Sequence, residues 1–199
     1  EMLTANGKDF KGKRVAVSSS GNVSQYAIEK VNDLGGIPIT CSDSNGTIVD
    51  ESGIDSAKLA FLLDLKNNRR GRIKEYADKH KVKYYEGLSV WQVIKEHGLK
   101  VDIALPCATQ NELDESLAKG LVDAGCYCVS EGANMPSDLA AIKIYQDNGF
   151  LYGPAKAANA GGVAVSGLEM SQNSMRLMWS REEVDAKLLG IMKSINNTC

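Results

Sequence analysis

Short apolar runs alternate along the chain with segments whose apolar residues recur every three or four positions. Arg14–Ser18 reads as a short buried strand, and Val23, Ala27, Ile28, Val31 and Leu34 then share one helical face. Gly35-Gly36 stops that helix, and Ile37–Cys41 reads as a second strand with Pro38 near its start. The strand, helix and strand together have the size of a parallel βαβ unit, about 30 residues. After a turn at Asp43–Gly46, Thr47–Val49 is extended, and Asp55 can cap a helix running from Ala57 to about Asn67. Further helices are expected at about Arg72–His80, at Trp91–Glu96 closed by Gly98, at Asn111–Ala124, and at Asp138–Asn148 with Ser137 as cap and Gly149 as stop. Strands are expected at Lys83–Tyr85, Val101–Leu105, Cys126–Val129 and Phe150–Tyr152, and the chain from Asn159 onward is mostly helical with a break near Ser180. This alternation predicts an α/β fold: a Rossmann-like, doubly wound, mostly parallel sheet with helices on both faces, plus C-terminal helices. No repeat or long linker interrupts it, so residues 1–199 read as one domain.

Composition narrows the class. The 199 residues are 43% hydrophobic, enough for an ordinary core without disulfides or metals. The formal net charge of −2 argues against a generally basic nucleic-acid binder. No apolar run approaches the ~18 residues of a membrane helix, and no secretory leader is apparent. The first residue is Glu1 rather than Met, which reads as a piece of a longer polypeptide. Five irregularly spaced cysteines and two histidines suggest free thiols in a reducing cytoplasm, with no metal site.

The chemistry concentrates after the first strand. Ser19-Ser-Gly-Asn-Val-Ser24 occupies the place of the G-x-G-x-x-G/A fingerprint, with only the middle glycine, Gly21, retained. That glycine lets backbone approach a pyrophosphate, whereas Ser19 brings a Cβ into a tight turn that strains if φ is positive. Asp43 lies 22 residues after Gly21, where a ribose-reading carboxylate belongs, although Asp43-Ser-Asn-Gly46 is also an ordinary turn. Lys66, Arg69, Arg70 and Arg72 form a basic cluster that is either a solvated face or a phosphate clamp. Gly161-Gly162 in a helical segment costs about 1 kcal/mol per glycine, which suggests a close approach there. Trp91, Trp179, Met170, Met175 and Met178 have the spacing of core or interdomain packing.

Four segments in one order carry a resemblance: Lys13–Ala27, Ala104–Leu113, Glu131–Pro136 and Lys156–Met170. Together they resemble the cofactor-binding half of the hexameric glutamate dehydrogenases, most closely the NADP-dependent type, over essentially the whole chain. The resemblance implies reversible oxidative deamination of L-glutamate to 2-oxoglutarate and ammonia with NADP(H). It also implies a homohexamer, no membrane or nucleic-acid partner, and no catalytic residue in this chain, because the catalytic lysine and aspartate belong to an N-terminal substrate domain absent here. Residues from about 159 would form helices returning toward that domain.

Carried over residue by residue, Gly21, Asn22 and Val23 match the turn over the pyrophosphate. Asp43 and Ser44 match the positions that read the adenosine ribose. Lys66 matches a lysine near the 2′-phosphate, and Arg72 is a weaker match to a second cation there. Ala108, Thr109 and Gln110 match the loop beneath the cofactor ribose. Asn134 and Asn159 match residues near the nicotinamide ribose and amide. Val163 and Ser166 match the substrate side-chain pocket, with the Ser166 hydroxyl donating to the γ-carboxylate. Two signals conflict on the cofactor: Asp43 alone favours NAD, whereas Asp43-Ser44 with Lys66 and Arg72 resembles the NADP pattern. NADP is the expectation and NAD the alternative. For function the alternatives are a leucine- or phenylalanine-type dehydrogenase, which Ser166 argues against, and a non-catalytic nucleotide-binding module.

Overall fold

Val15 and Val17 project from one side of their strand and Ala16 from the other, and the two sides build two separate cores. In the computed structural model, which describes residues 1–199, the strands are β1 (Arg14–Val17), β2 (Ile37–Pro38), β3 (Thr40–Asp43), β4 (Gly46–Val49), β5 (Lys83–Glu86), β6 (Ile103–Leu105), β7 (Cys128–Ser130) and β8 (Leu151–Gly153). The helices are α1 (Met2–Ala5), α2 (Asn22–Asp33), α3 (Ser56–Leu63), α4 (Ile73–His80), α5 (Val90–His97), α6 (Glu115–Ala124), α7 (Leu139–Asp147), α8 (Ala155–Ala158), α9 (Ala160–Met175) and α10 (Arg181–Thr198). A five-stranded, wholly parallel sheet has the order β2-β1-β6-β7-β8. Val15, Val17, Ile103 and Cys128 pack with α2, α3 and α4 on one face, while Ala16, Ala104 and Val129 pack with α5, α6 and α7 on the other. The expected doubly wound α/β architecture is therefore present.

Several element boundaries differ from expectation, each for a local reason. The strand expected over Ile37–Cys41 divides in two. Ile39 still donates to the Val15 carbonyl at 2.9 Å. At the next residue the Thr40 hydroxyl takes over the ladder, accepting from Val17 N at 2.8 Å and donating to Val17 O at 3.0 Å. The backbone of β3 is thereby released from β1 and pairs antiparallel with β4, which pairs antiparallel with β5. This second, three-stranded sheet was not foreseen. The helix expected from Asn111 begins only at Glu115, because Asn111 is left-handed (φ +54°) and Asp114 is the residue that caps, accepting from Leu117 N. Likewise Asp138, not Ser137, caps α7; Ser137 is buried and shares a hydrogen bond with the Tyr145 hydroxyl. The helix expected through Asn67 widens into a π-turn over Asp64–Asn68. Trp91 lies in the core, but Met170, Met175 and Met178 are exposed, and α9 and α10 bury no residue at all.

The second sheet is fastened to the helices by a buried polar knot. Asp50, 1% exposed, accepts from Lys58 Nζ at 2.7 Å, Ser52 Oγ at 2.6 Å and Tyr76 Oη at 2.9 Å. Burial alone pushes this carboxyl up, but the bonds from Lys58, Ser52 and Tyr76 outweigh it and hold the carboxyl below its ordinary range. A lowered folded-state value means the stabilisation is complete above the unfolded-state value, near ~4, and is lost as pH falls through the folded one. Asp50→Asn should lower stability by about 2–4 kcal/mol at pH 7, because it leaves Lys58 and Tyr76 facing an amide. In urea melts the gap between variant and wild type should shrink below pH 4; a constant gap would contradict the assignment.

Candidate dinucleotide-binding crevice

The chain leaves β1 toward β2 on one side and returns from the second sheet to β6 on the other. The C-terminal ends of β1 and β6 therefore flank the point where strand order reverses, the usual place for a crevice in an open parallel sheet. The loop after β1 is Ser18–Gly21. Ser19 adopts φ +72°, the strained conformation anticipated for a side chain at this position. Three bonds hold it there: Ser19 N donates to Ser42 Oγ at 2.8 Å, Ser19 O accepts from Ser42 N at 3.1 Å, and Ser19 Oγ accepts from Gly21 N at 3.1 Å. Gly21 itself has φ −82° and ψ −173°, open to any residue, and a Cβ there would meet only Ser19 Oγ at 3.5 Å. Neither backbone nor neighbours require glycine, so what its absent side chain preserves is space above the turn. No side chain caps α2, which leaves first-turn amides beside exposed Asn22 and Val23 for an anion.

Across the turn, Asp43 ends β3 and its carboxylate faces inward. Oδ1 accepts from Asn45 N at 2.9 Å, Oδ2 accepts from Ile73 N at the start of α4 at 2.9 Å, and Lys66 Nζ lies 3.7 Å from Oδ2. The Asp43 side chain is only 7% exposed. Its two oxygens are thus engaged within the chain rather than presented to a ribose. The π-turn carries Lys66 to this place, and Lys66 Nζ also donates to Gly71 O at 3.0 Å. Asn67 in the same turn exchanges two side-chain hydrogen bonds with Gln25 of α2, both 3.1 Å. Arg72 Nη1 donates to Ser44 Oγ at 2.9 Å, so Asp43, Ser44, Lys66 and Arg72 form one cluster with Ser44 and Arg72 at its exposed rim.

The loops after β6 and β7 close the other side. Gly132 N and Ala133 N both donate to Pro106 O at 2.9 Å. A Cβ on Gly132 would stand 2.8 Å from Cys107 Sγ and 3.0 Å from Val23 Cγ1, so the loops after β1, β6 and β7 meet there. Ala108, Thr109, Gln110 and Asn134 are exposed along this edge. Asn159 Nδ2 donates to Ala133 O at 3.0 Å, which joins it to the loop bearing Asn134. Val163 and Ser166 stand apart on α9; Val163 is 79% exposed, and Ser166 Oγ donates to Gly162 O at 3.2 Å. Gly162 has nothing near its missing Cβ, and Gly161 only Leu188 at 3.8 Å and Met192 at 3.9 Å, so nothing within the chain demands the glycine pair. A cavity of about 490 Å³ lies elsewhere, between α1, the sheet face around Ile103 and Leu105, and Met192 and Ile195 of α10.

Sequence reasoning missed the polar residues that support these loops. Ser42 holds Ser19, Ser18 Oγ accepts from Cys107 N at 2.8 Å, and Glu131 Oε2 accepts from Ala155 N at 2.8 Å. Glu112 Oε2 accepts from Trp91 Nε1 at 2.7 Å, and its Oε1 accepts from Ala108 N at 2.9 Å. No short spacing rule reveals such partners, although Glu112 and Glu131 fall inside the segments that carry the family resemblance.

A sequence model of the family described as glutamate/leucine/phenylalanine/valine dehydrogenase matches residues 1–199. The chain is 59% identical over 199 residues to the NAD(P)-specific glutamate dehydrogenase of Xylanibacter ruminicola, covering 100% of this chain and 44% of that protein. It is 52% identical over 198 residues to the NADP-specific glutamate dehydrogenase of Escherichia coli, covering 100% of this chain and 43% of that protein. A solved glutamate dehydrogenase of Plasmodium falciparum superposes with a TM-score of 0.90 at 44% identity, covering 97% of this chain and 40% of that one. The chain thus spans less than half the length of these relatives.

The left-handed Ser19 yields a direct test. Ser19→Ala and Ser19→Gly both remove the hydroxyl, but only alanine keeps a Cβ at φ +72°. Ser19→Gly should therefore be more stable than Ser19→Ala by about 1–2 kcal/mol in denaturant melts; equal stabilities would refute strain at this turn.

Proposed function

The chain belongs to the glutamate/leucine/phenylalanine/valine dehydrogenase family, and from that premise we propose that it is the cofactor-binding domain of a glutamate dehydrogenase that uses NADP(H). The reaction is L-glutamate, water and NADP⁺ to 2-oxoglutarate, ammonium, NADPH and a proton, in either direction. The observation that carries the reading is the cradle at Gly21: a turn whose empty space serves no internal need, at the strand-order reversal, beneath an uncapped helix. The nicotinamide supplies the hydride chemistry. The chain's own residues bind and orient it. Gly21, Asn22 and Val23 receive the pyrophosphate; Ala108, Thr109 and Gln110 line the ribose; Asn134 and Asn159, tied through Ala133, face the nicotinamide end. Val163 and Ser166 belong to the substrate side-chain pocket, where the Ser166 hydroxyl turns from Gly162 O to the γ-carboxylate. General acid–base groups come from a second domain beyond this sequence, toward which the helices from about residue 159 return. Closure of the two domains aligns the reacting carbons and excludes water. The assembly is a homohexamer, and the four buried free thiols suit a reducing cytoplasm.

NADP is favoured over NAD by the state of Asp43. Its carboxylate is turned inward onto two backbone amides and lies beside Lys66, which withdraws it from a 2′-hydroxyl and offsets the charge that would repel a phosphate. Ser44, Lys66 and Arg72 then supply a hydroxyl and two cations for the 2′-phosphate. Two of the relatives named above are called NAD(P)-specific and NADP-specific.

Titration of the 199-residue chain with NADPH and NADH tests both parts. NADPH should bind at least about tenfold tighter, with the preference shrinking as salt rises. Lys66→Ala should weaken NADPH at least about tenfold more than NADH; equal weakening would remove Lys66 from the 2′-phosphate site. Gly21→Ala should cost less than about 1 kcal/mol of stability yet weaken both cofactors; undiminished binding would overturn the cradle. The chain alone should not turn over glutamate.

A further inference from the structure

Glu112 lies in the loop between β6 and α6, where the left-handed Asn111 breaks the helix and Asp114 restarts it. Three donors from two separate parts of the chain converge on its carboxylate. Trp91 Nε1 of α5 donates to Oε2 at 2.7 Å. Ala108 N and Thr109 N donate to Oε1 at 2.9 Å and 3.4 Å. Nearby, the Ser18 hydroxyl, from the loop after β1, accepts from Cys107 N at 2.8 Å. The indole that anchors the group is wholly buried. Ser18 therefore joins the two loops that flank the strand-order reversal, and Glu112 fixes the second of them to α5.

We propose that Glu112 is a positioning residue that locks the loop after β6, itself tied to the loop after β1 through Ser18, against α5, and so sets the floor of the cofactor crevice. The inference rests on the crevice binding a dinucleotide as proposed above. Its chemistry follows from the donor set. A carboxylate accepts at both oxygens, whereas a glutamine amide accepts at one and would turn an N–H toward an N–H at the other. A carboxylate under a pyrophosphate site would repel the ligand if its charge were free; here the charge is taken up by inward-pointing donors. One consequence is that the Ala108 and Thr109 amides point to Glu112 and not to ligand, so this loop meets the cofactor through side chains and carbonyls. Burial pushes the Glu112 carboxyl above its ordinary range despite these bonds, the cost of keeping this group inside.

The experiment compares wild type, Glu112→Gln and the milder Ser18→Ala as complete 199-residue chains, all first shown folded by circular dichroism. Dissociation constants for NADH and NADPH are then measured well below the melting temperature. Glu112→Gln should weaken both cofactors by about tenfold and to the same extent, and Ser18→Ala should weaken both by about threefold. A role in fold stability alone would lower the melting temperature and leave the dissociation constants of the folded chains unchanged. In a Trp179→Phe background, where Trp91 is the sole tryptophan, Glu112→Gln should also shift the near-ultraviolet dichroism of Trp91. Should Glu112→Gln fail to fold, Ser18→Ala and hydrogen exchange on wild type decide: the Ala108 amide must exchange at the slow rate of core amides before cofactor is added. Wild-type binding with unchanged affinities in the variants, or weakening of NADPH alone, or fast exchange at Ala108, overturns the positioning role and leaves the cofactor reading intact. Failure of wild type to bind either cofactor overturns both.

Discussion

The hydroxyl of Thr40 decides how the chain divides its sheets. By substituting for a backbone donor and acceptor opposite Val17, it ends the parallel ladder one residue after Ile39 without leaving Val17 N–H or C=O unpaired. The strand can then swing out, pair with β4 and bring Ser42, Asp43 and Ser44 beside the turn after β1. Had the ladder continued, the Asp43–Ser44 corner would stand further along the sheet edge and Ser19 would lose the Ser42 hydroxyl that holds it left-handed. A valine at position 40 would have similar bulk but would orphan two buried backbone groups. The whole Asp43–Ser44 corner of the crevice thus depends on one side chain imitating backbone.

A second regularity runs through the molecule. Its inward carboxylates serve as hubs for donors: Asp43 for the start of α4 and Lys66, Asp50 for Lys58, Ser52 and Tyr76, and Glu112 for the loop after β6 and an indole. Each is used where chain segments distant in sequence must meet, because one carboxylate accepts several bonds at once. The cations at the crevice are arranged differently. Arg72 stays at the exposed rim with a single bond to a hydroxyl, so it can be redirected to a ligand, whereas Lys66 is already half-committed to Gly71 and Asp43. In the proposed site, negative charge is consumed inside the protein and positive charge is left for the phosphate.

Much of this was legible beforehand, because β1, α2 and the helices α5 to α7 are written in periodic apolar positions and helix stops, which act over a few residues. The antiparallel sheet was not legible. Thr47–Val49 and Lys83–Tyr85 read as extended, but their pairing depends on the Thr40 substitution, a contact between residues 23 apart. Asp43 shows the same limit in the site. Its position after the second strand suggested a ribose reader, yet its burial against α4 comes from a residue 30 positions later. The start of α6 was misplaced because Asn111–Asp114 keeps helical spacing while its backbone turns left-handed to aim Glu112 back at Trp91.

The C-terminal helices follow a different logic from the sheet. Neither α9 nor α10 buries a residue, and Val163, Met170 and Met178 expose 79%, 73% and 95% of their surface. Ser180 caps α10 with a reciprocal bond to Glu183, and Arg176 turns left-handed to end α9, so local signals set the bounds of both helices. What local signals cannot do is cover an apolar face of this size. Gly162 tells the same story from the other side, since nothing in the chain lies within 4 Å of where its Cβ would be. In a family whose members named above are more than twice as long, an uncovered apolar face beside a bare helical glycine has the character of a joint. Under the proposed function, a second domain would close on this surface and bring Val163 and Ser166 toward the crevice.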